Sequence, residues 1–239
     1  MTDAPLDAPL LHAIDSRGVA TLTFNRPEKS NSYNQALLDA LLGEVTRLGA
    51  DAAVRMIVLR GTGRHFSAGA EVGGEHAATH GKPRATIPEL CLSLDTVPKP
   101  VIALVHGACI GGAVALISCC DVVVAAQNAF FSLPEVRLGF APGPLIPFFL
   151  RAINARSLRR YLISGERFAA EEALRIGLVH QLCALEARLR AHEGYGQECP
   201  QRASSQARHC RVPGVNAVGT PARETHRRWS TIPSDQSPL

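Results

Sequence analysis

The sequence lacks any long uninterrupted apolar run, and it lacks a basic N-terminal segment leading into one. Its longest apolar candidate, residues 101–124, is interrupted by His106, by several glycines and by Asp121. A membrane-spanning helix needs about 20 predominantly apolar residues, and a signal peptide needs a basic start before its apolar core. We therefore predict no signal peptide, no transmembrane span and no membrane partner.

Motifs of metal centres and redox sites are also lacking. No two of the seven cysteines form a CxxC pair, and most of them lie within apolar runs. The nine histidines include no HExxH motif, so the sequence gives no support for a metal site. Buried thiols of this kind are typical of a reducing compartment, and we expect free cysteines in a cytoplasmic protein.

Charge is sparse, at 19% of residues, and the net charge of +4 is unevenly distributed. Residues 184–239 contain eight Arg, no Lys and five acidic residues, which gives +3 and leaves +1 for the first 183 residues. A nucleic-acid-binding body needs a concentrated basic surface, which these first residues do not offer. We therefore predict no nucleic-acid partner.

The last part of the chain lacks the periodic apolar pattern of the first part. Arg, Ser, Pro, Gln and His dominate residues 184–239, and such a segment cannot bury enough apolar surface to offset its ordering entropy. We divide the chain into a domain at 1–183 and an atypical tail at 184–239, either natively disordered or produced by a slipped reading frame. The abrupt change favours the slipped frame. Resequencing the gene distinguishes the two alternatives, because an apolar helical continuation in another reading frame would support the slipped frame.

Strand and helix patterns alternate along the first 183 residues. Apolar runs predict strands at 20–25, 56–60, 101–105 and 121–126, with a further strand and loop across 129–139. Ser32 and Gln35 have capping-box spacing, which predicts a helix that carries leucines from Leu37 onward. Helices are also predicted after Gly112 and, in three pieces, between 145 and 177. This alternation is typical of an α/β domain.

Two turns made of small residues each follow a strong strand. One is FSAGA at 66–70, and the other is GACIGG at 107–112, directly before a helix. Backbone N–H groups from two such turns can hold a developing oxyanion, and small residues let a planar acyl group reach them. Either turn alone more often serves tight packing, so the interpretation depends on the pair.

Around these turns the sequence resembles the crotonase (enoyl-CoA hydratase/isomerase) superfamily. The similar stretches are NRPEKSNSYN at 25–34, GTGRHFSAGAEV at 61–72, PKPVIALVHGACIGGAVALISCCDVVVA at 98–125, FSLPEVRLGFAPG at 131–143 and RRYLISGERFAAEEALRIGLV at 159–179. The resemblance covers roughly 13–182, and the tail from about residue 184 does not match. It implies a crotonase-like spiral of ββα units with outer helices. It also implies a homotrimer or hexamer, if the tail permits that assembly.

The resemblance implies an acyl-CoA thioester as the substrate, with coenzyme A as part of it and no separate cofactor. The thioester oxygen would accept hydrogen bonds from the backbone N–H groups of Ala70 and Gly112. Ala68, Gly69 and Gly111 would contribute to the substrate site around those amides.

The resemblance assigns acid–base catalysis to Glu135, which matches one of the two glutamates that hydratases of the family commonly use. Ala115 stands at the position of the other glutamate. A single carboxylate can support either hydration of a 2-enoyl-CoA or a double-bond shift, since both are general acid–base reactions.

The activity that we predict first is that of an enoyl-CoA hydratase, a carbon–oxygen lyase. There are two alternatives. One is a Δ3,Δ2-enoyl-CoA isomerase, and the other is an inactive remnant that lacks the C-terminal helices through which the family assembles. The motifs look most like a bacterial branch of methylglutaconyl-CoA or glutaconyl-CoA hydratases, which implies a substrate with a second carboxylate. Arg137 is the candidate cationic partner of that carboxylate, and a surface ion pair is its alternative role.

Overall fold

The structure, a computed structural model, describes residues 7–71, 84–139 and 141–186. Their strands are β1 Leu10–Ile14, β2 Val19–Phe24, β3 Met56–Gly61, β4 Val101–Val105, β5 Ala108–Ile110, β6 Val122–Ala126, β7 Phe130–Ser132, β8 Arg167–Ala169 and β9 Gln181–Cys183. Their α-helices are α1 Gln35–Ala50, α2 Ile87–Thr96, α3 Gly112–Ser118, α4 Ile146–Ala152, α5 Ala155–Ser164 and α6 Ala170–Arg175. Short 3₁₀ helices span Pro27–Lys29, Pro134–Leu138 and Gly143–Leu145. These elements confirm the predicted α/β class.

The larger sheet has the strand order β1-β2-β3-β4-β6-β9. Only the β1–β2 pair in it is antiparallel, and the other neighbours pair in parallel. Parallel neighbours need crossover connections, and α1, α2 and α3 lie in the crossovers between β2 and β6. The central strand β4 is buried at all five residues, which explains why it reads as a continuous apolar run.

A smaller sheet has the order β5-β7-β8, in which β5 and β7 are parallel and β8 is antiparallel to β7. One isolated bridge joins the first small-residue turn to this sheet, and a second joins the same turn to Tyr33. Ser67 bridges Cys109 of β5, and Ala70 bridges Tyr33. The first small-residue turn therefore lies between the smaller sheet and the segment that precedes α1.

The core lies on both faces of the larger sheet. Alternation along β3 places Ile57 and Leu59 in the main cluster, together with the buried faces of the helices. Met56 and Val58 belong to a second cluster on the opposite face. Because both faces of the parallel strands are buried, the sheet forms a rigid base for the loops at its edges.

The capping residue of α1 differs from the prediction. Asn34 caps the helix, and its side-chain oxygen accepts a hydrogen bond of 3.1 Å from the Leu37 N–H. Tyr33 pairs as extended backbone with Ala70, so the helix cannot begin before that residue. The predicted helix is confirmed, but the capping box on Ser32 is wrong.

The predicted boundary at 183/184 falls where β9 ends, at Cys183, and the described residues stop at 186. The predicted tail therefore lies almost entirely outside the described residues and stays a prediction. Five described cysteines are free thiols. None of the helices in the described ranges combines the length and apolar character that crossing a bilayer requires.

Two glycines provide a matched test of this packing. Gly107, in the turn from β4 to β5, has φ +54°, and an added Cβ would overlap the Arg64 carbonyl oxygen. Gly43, within α1, has open space around it. We expect Gly107→Ala to lower the free energy of unfolding by more than about 1–2 kcal/mol, the cost of left-handed backbone alone. Gly43→Ala should raise it by about 1 kcal/mol.

Urea denaturation of both variants measures the difference. A Gly107→Ala protein as stable as the unmodified chain would contradict the close packing of the β4–β5 turn against the strand-end loop beside it.

Candidate active site

The first small-residue turn is fixed to β5 by backbone hydrogen bonds. The Ser67 N–H donates to the Ala108 carbonyl at 3.0 Å, and the Ile110 N–H donates to the Ser67 carbonyl at 3.1 Å. The Ser67 hydroxyl also donates to the Asn31 carbonyl at 2.8 Å. Ser67 thus has a structural role, and it holds the turn against the strand that leads to the second turn.

On its other side the same turn pairs with Tyr33. The Tyr33 N–H donates to the Gly69 carbonyl at 2.9 Å, and the Glu71 N–H donates to the Tyr33 carbonyl at 3.1 Å. Backbone groups of successive extended residues point in opposite directions. The bonds made by Gly69 and Glu71 therefore direct the N–H of Ala70, an exposed residue, away from Tyr33.

The two turns touch each other at Gly69. This glycine has φ +87°, and a Cβ on it would lie 2.8 Å from the Ile110 carbonyl oxygen. Any side chain there would push apart the turns that carry Ala70 and Gly112. The predicted preference for small residues at this point therefore has a direct steric cause.

Gly111 connects the second turn to the smaller sheet and to Glu135. Its N–H donates to the Ser132 carbonyl of β7 at 2.9 Å. Its φ is +57°, and a Cβ on it would lie 2.9 Å from Oε1 of Glu135. Gly112, the next residue, begins α3, so its N–H is one of those that a helix leaves without an intrahelical acceptor.

Glu135 lies in the first turn of the 3₁₀ helix Pro134–Leu138, and only 6% of it is exposed. Its buried Oε2 has no hydrogen-bond partner among the described residues. Burial raises the pKa of Glu135, and a hydrogen bond from its own backbone N–H offsets part of that effect. A carboxyl group with a raised pKa is suited to both accept and return a proton near neutral pH.

Ala115 is fully buried in α3, one turn after Gly112 and on the same side of the helix. Side chains in a helix lean toward its N-terminus, so a longer residue at 115 would reach back toward Gly112. Ala115 places only a methyl group in that direction, so among the described residues Glu135 is the carboxylate beside the second turn.

Tyr33 also lies at this candidate site, although no chemical role was predicted for it from the sequence. A Cβ on Gly112 would overlap its hydroxyl, and Cζ of its ring would lie 3.2 Å away. The hydroxyl therefore lies directly beside Gly112. Burial and the nearby charge of Glu135 raise the pKa of Tyr33, so the hydroxyl is neutral near pH 7. The only sequence signal was its place within the SNSYN part of the first similar stretch.

A cavity of about 310 Å³ lies beside the first turn. Its lining residues include Ser30, His65, Ala68, Ile110, Arg137 and Arg167. Two of the predicted substrate-binding residues, Ala68 and Arg137, therefore face one cavity. Of the other two, Gly69 lies where the two turns touch each other, and Gly111 lies against Glu135. Arg137 donates to the Ser164 carbonyl at 3.4 Å.

Solved structures share this fold. An enoyl-CoA hydratase from Mycobacterium smegmatis has a TM-score of 0.76 and 28% identity, over 84% of this chain and 81% of that chain. A monofunctional enoyl CoA isomerase from M. smegmatis has a TM-score of 0.74 and 30% identity, over 89% of this chain and 96% of that one. The protein therefore has the crotonase fold, as the resemblance implied.

The family whose description is enoyl-CoA hydratase/isomerase matches residues 15–211. A relative named 2,3-dehydroadipyl-CoA hydratase, from Escherichia coli, is 35% identical over 196 residues, which are 80% of this chain and 73% of that protein. The chain belongs to the enoyl-CoA hydratase/isomerase family. The match continues beyond residue 184, where the sequence analysis ended the resemblance, into residues that the structure does not describe.

The raised pKa of Glu135 predicts a specific dependence of stability on pH. The folded protein holds this proton to a higher pH than the unfolded chain does, so stability is complete below the ordinary Glu pKa. As pH rises from there through the raised pKa, stability is lost because a buried carboxylate must ionise. Glu135→Gln removes this loss, so the variant should gain stability relative to the unmodified protein across that window.

Urea midpoints of the two proteins between pH 4 and pH 8, spanning the window above the reference Glu pKa, measure this effect. A constant difference across the whole range would contradict a buried carboxyl group with a raised pKa.

Proposed function

We propose that the protein hydrates a 2-enoyl-CoA thioester by adding water across its C2–C3 double bond. The observation that carries the proposal is the place of Glu135. Its carboxylate is buried, has one oxygen without a partner among the described residues, and lies against Gly111, next to the Gly112 amide.

The two turns would stabilise the negative charge that develops on the thioester oxygen. In this proposal the N–H groups of Ala70 and Gly112 donate to that oxygen as the double bond is attacked. A fixed donor of this kind contributes about 10²–10³-fold to kcat, because it is oriented before the charge develops.

Glu135 would carry the proton that the addition requires. Its carboxylate accepts a proton from water while the water oxygen bonds to C3, and the electron pair of the double bond moves into the enolate. The protonated Glu135 then returns that proton to C2. The product gains H at C2 and OH at C3, and the carboxylate is regenerated.

A double-bond shift is the alternative within the same site. In that reaction Glu135 removes a proton from C2 of a 3-enoyl-CoA and returns one to C4. Ala115 favours this alternative because α3 supplies no second carboxylate, and the similar monofunctional isomerase shares the fold.

The cavity supports a substrate with a second carboxylate, of the glutaconyl type. Arg137 and Arg167 both line it, and neither forms a salt bridge within the described part of the chain. Glu166 is an acidic neighbour of Arg137 there: its pKa is lowered by a hydrogen bond from Arg160 and also by the charge of Arg137, so the surface role stays the alternative. The similar hydratase from E. coli has a name that specifies a dicarboxylic acyl group. An anionic acyl end would be held by charge-assisted hydrogen bonds.

We further propose that the enzyme acts as a trimer or hexamer, with coenzyme A as part of the substrate and no other cofactor. Light scattering tests the assembly. A monodisperse trimer or hexamer would support it, whereas a monomer would favour the inactive remnant.

Glu135→Gln tests the catalytic role, with Glu171→Gln, an exposed glutamate of α6, as the matched control. We expect Glu135→Gln to lower kcat for a 2-enoyl-CoA by about 10²–10⁴-fold, because the amide can neither accept nor return the proton. The control should leave kcat unchanged. Loss of enoyl absorbance follows the reaction.

Three results would refute this proposal. Full turnover by Glu135→Gln would remove that residue from the mechanism. Conversion of a 3-enoyl-CoA with an unchanged pool of 2-enoyl-CoA would replace hydration by isomerisation. No turnover of either substrate by the unmodified chain would identify an inactive remnant.

Arg137→Gln tests the second carboxylate, with the exposed Arg159→Gln as its control. We expect kcat/KM for glutaconyl-CoA to fall by about 10–100-fold, because one hydrogen bond to a charged group is lost. The kcat/KM for crotonyl-CoA should stay unchanged. An equal fall for both substrates would assign Arg137 to the CoA phosphates. No fall for either would leave it as a surface residue.

A further inference from the structure

Tyr33 is joined to both turns of the proposed oxyanion site. Its backbone pairs with the first turn through the Gly69 carbonyl at 2.9 Å and the Glu71 N–H at 3.1 Å. Its hydroxyl lies on the second turn, where a Cβ on Gly112 would overlap it. One residue thus fixes the position of the first turn and places a polar group beside the amide of the second.

The hydroxyl of Tyr33 lies beside the amide of the second turn. Its oxygen is the heavy atom nearest to where a Cβ on Gly112 would lie, beside the amide that the proposed function assigns to the thioester oxygen. The hydroxyl lies near enough to Glu135 to sense its charge. Because it keeps its proton near neutral pH, it has a hydrogen to donate as well as lone pairs that accept.

We propose that Tyr33 is a third hydrogen-bond donor of the oxyanion site, and this inference rests on the proposed function. In the empty site its oxygen lies against Gly112. When a thioester enters, its carbonyl oxygen accepts the Gly112 N–H, and the Tyr33 O–H turns to donate to the same oxygen.

Because its backbone is anchored, Tyr33 is better suited to donate a hydrogen bond to the substrate than to be displaced by it. The two backbone bonds to the first turn restrain its main chain, so its hydroxyl stays beside the second turn. Rotation about the C–O bond redirects the hydrogen with little movement of heavy atoms, and an amide N–H can be shared between two acceptors during entry.

Tyr33→Phe removes the hydroxyl and keeps the ring. The matched control is Tyr161→Phe, because Tyr161 is a buried tyrosine whose hydroxyl donates elsewhere, to Oε1 of Glu172 at 2.6 Å. We expect Tyr33→Phe to lower kcat for a 2-enoyl-CoA by about 10–100-fold, somewhat less than loss of a main-chain donor, with little change in KM. Tyr161→Phe should leave both constants unchanged.

A second readout reports on the thioester oxygen itself. A chromophoric 3-arylacryloyl-CoA shifts its absorbance to longer wavelength when its carbonyl is polarised on binding. The shift should be smaller with Tyr33→Phe and unchanged with Tyr161→Phe. A fluorotyrosine at position 33 keeps the packing and donates more strongly, so it should enlarge the shift even if Tyr33→Phe folds poorly.

The inference is overturned if Tyr33→Phe keeps the kcat and the absorbance shift of the unmodified protein. It is also overturned if the variant binds acyl-CoA more tightly at unchanged kcat, since the hydroxyl would then only compete with the substrate. In both cases hydration by the unmodified protein would leave the proposed function standing. Failure of that protein to bind or hydrate any enoyl-CoA would refute both proposals.

Discussion

The close contact between Gly69 and the Ile110 carbonyl is the constraint on which the site depends. A Cβ at Gly69 would lie 2.8 Å from that oxygen, so a side chain would separate the turns that carry Ala70 and Gly112. The Ser67–Cys109 bridge holds the turns together from one side, and the Tyr33–Ala70 bridge fixes the first turn from the other. The proposed chemistry needs two amides near one oxygen, and this packing is what brings their turns together.

Glu135 owes its raised pKa to the same crowding. Gly111 leaves room for Oε1 only because it has no side chain, and burial raises the pKa of the carboxyl group. A buried carboxylate with an unpartnered oxygen is unfavourable for folding, and such groups are found where a reaction uses them. The rigid parallel sheet beneath the turns supplies the stability that this arrangement requires.

The sequence predicted the parts of the fold that long apolar runs encode. Strands β2, β3, β4 and β6 were predicted to within a residue or two, because buried parallel strands read as continuous apolar segments. The three-residue strands β5 and β8 carry too little pattern to be recognised. Contacts between residues distant in sequence could not be predicted either. The contact of the Tyr33 hydroxyl with Gly112 is one of them, because it depends on the folded sheet. The two turns stood out as small-residue segments after strong strands, and a family resemblance then gave them and Glu135 a role that composition could not indicate.

We expect one thioester oxygen to be held by two main-chain amides from separate turns. A crystal structure of the Glu135→Gln protein with a bound 2-enoyl-CoA tests this most directly. We expect the thioester oxygen to lie about 3 Å from the backbone nitrogens of both Ala70 and Gly112, with residue 135 facing C2 and C3. A thioester oxygen that contacts neither amide, or an acyl group bound away from residue 135, would contradict the account.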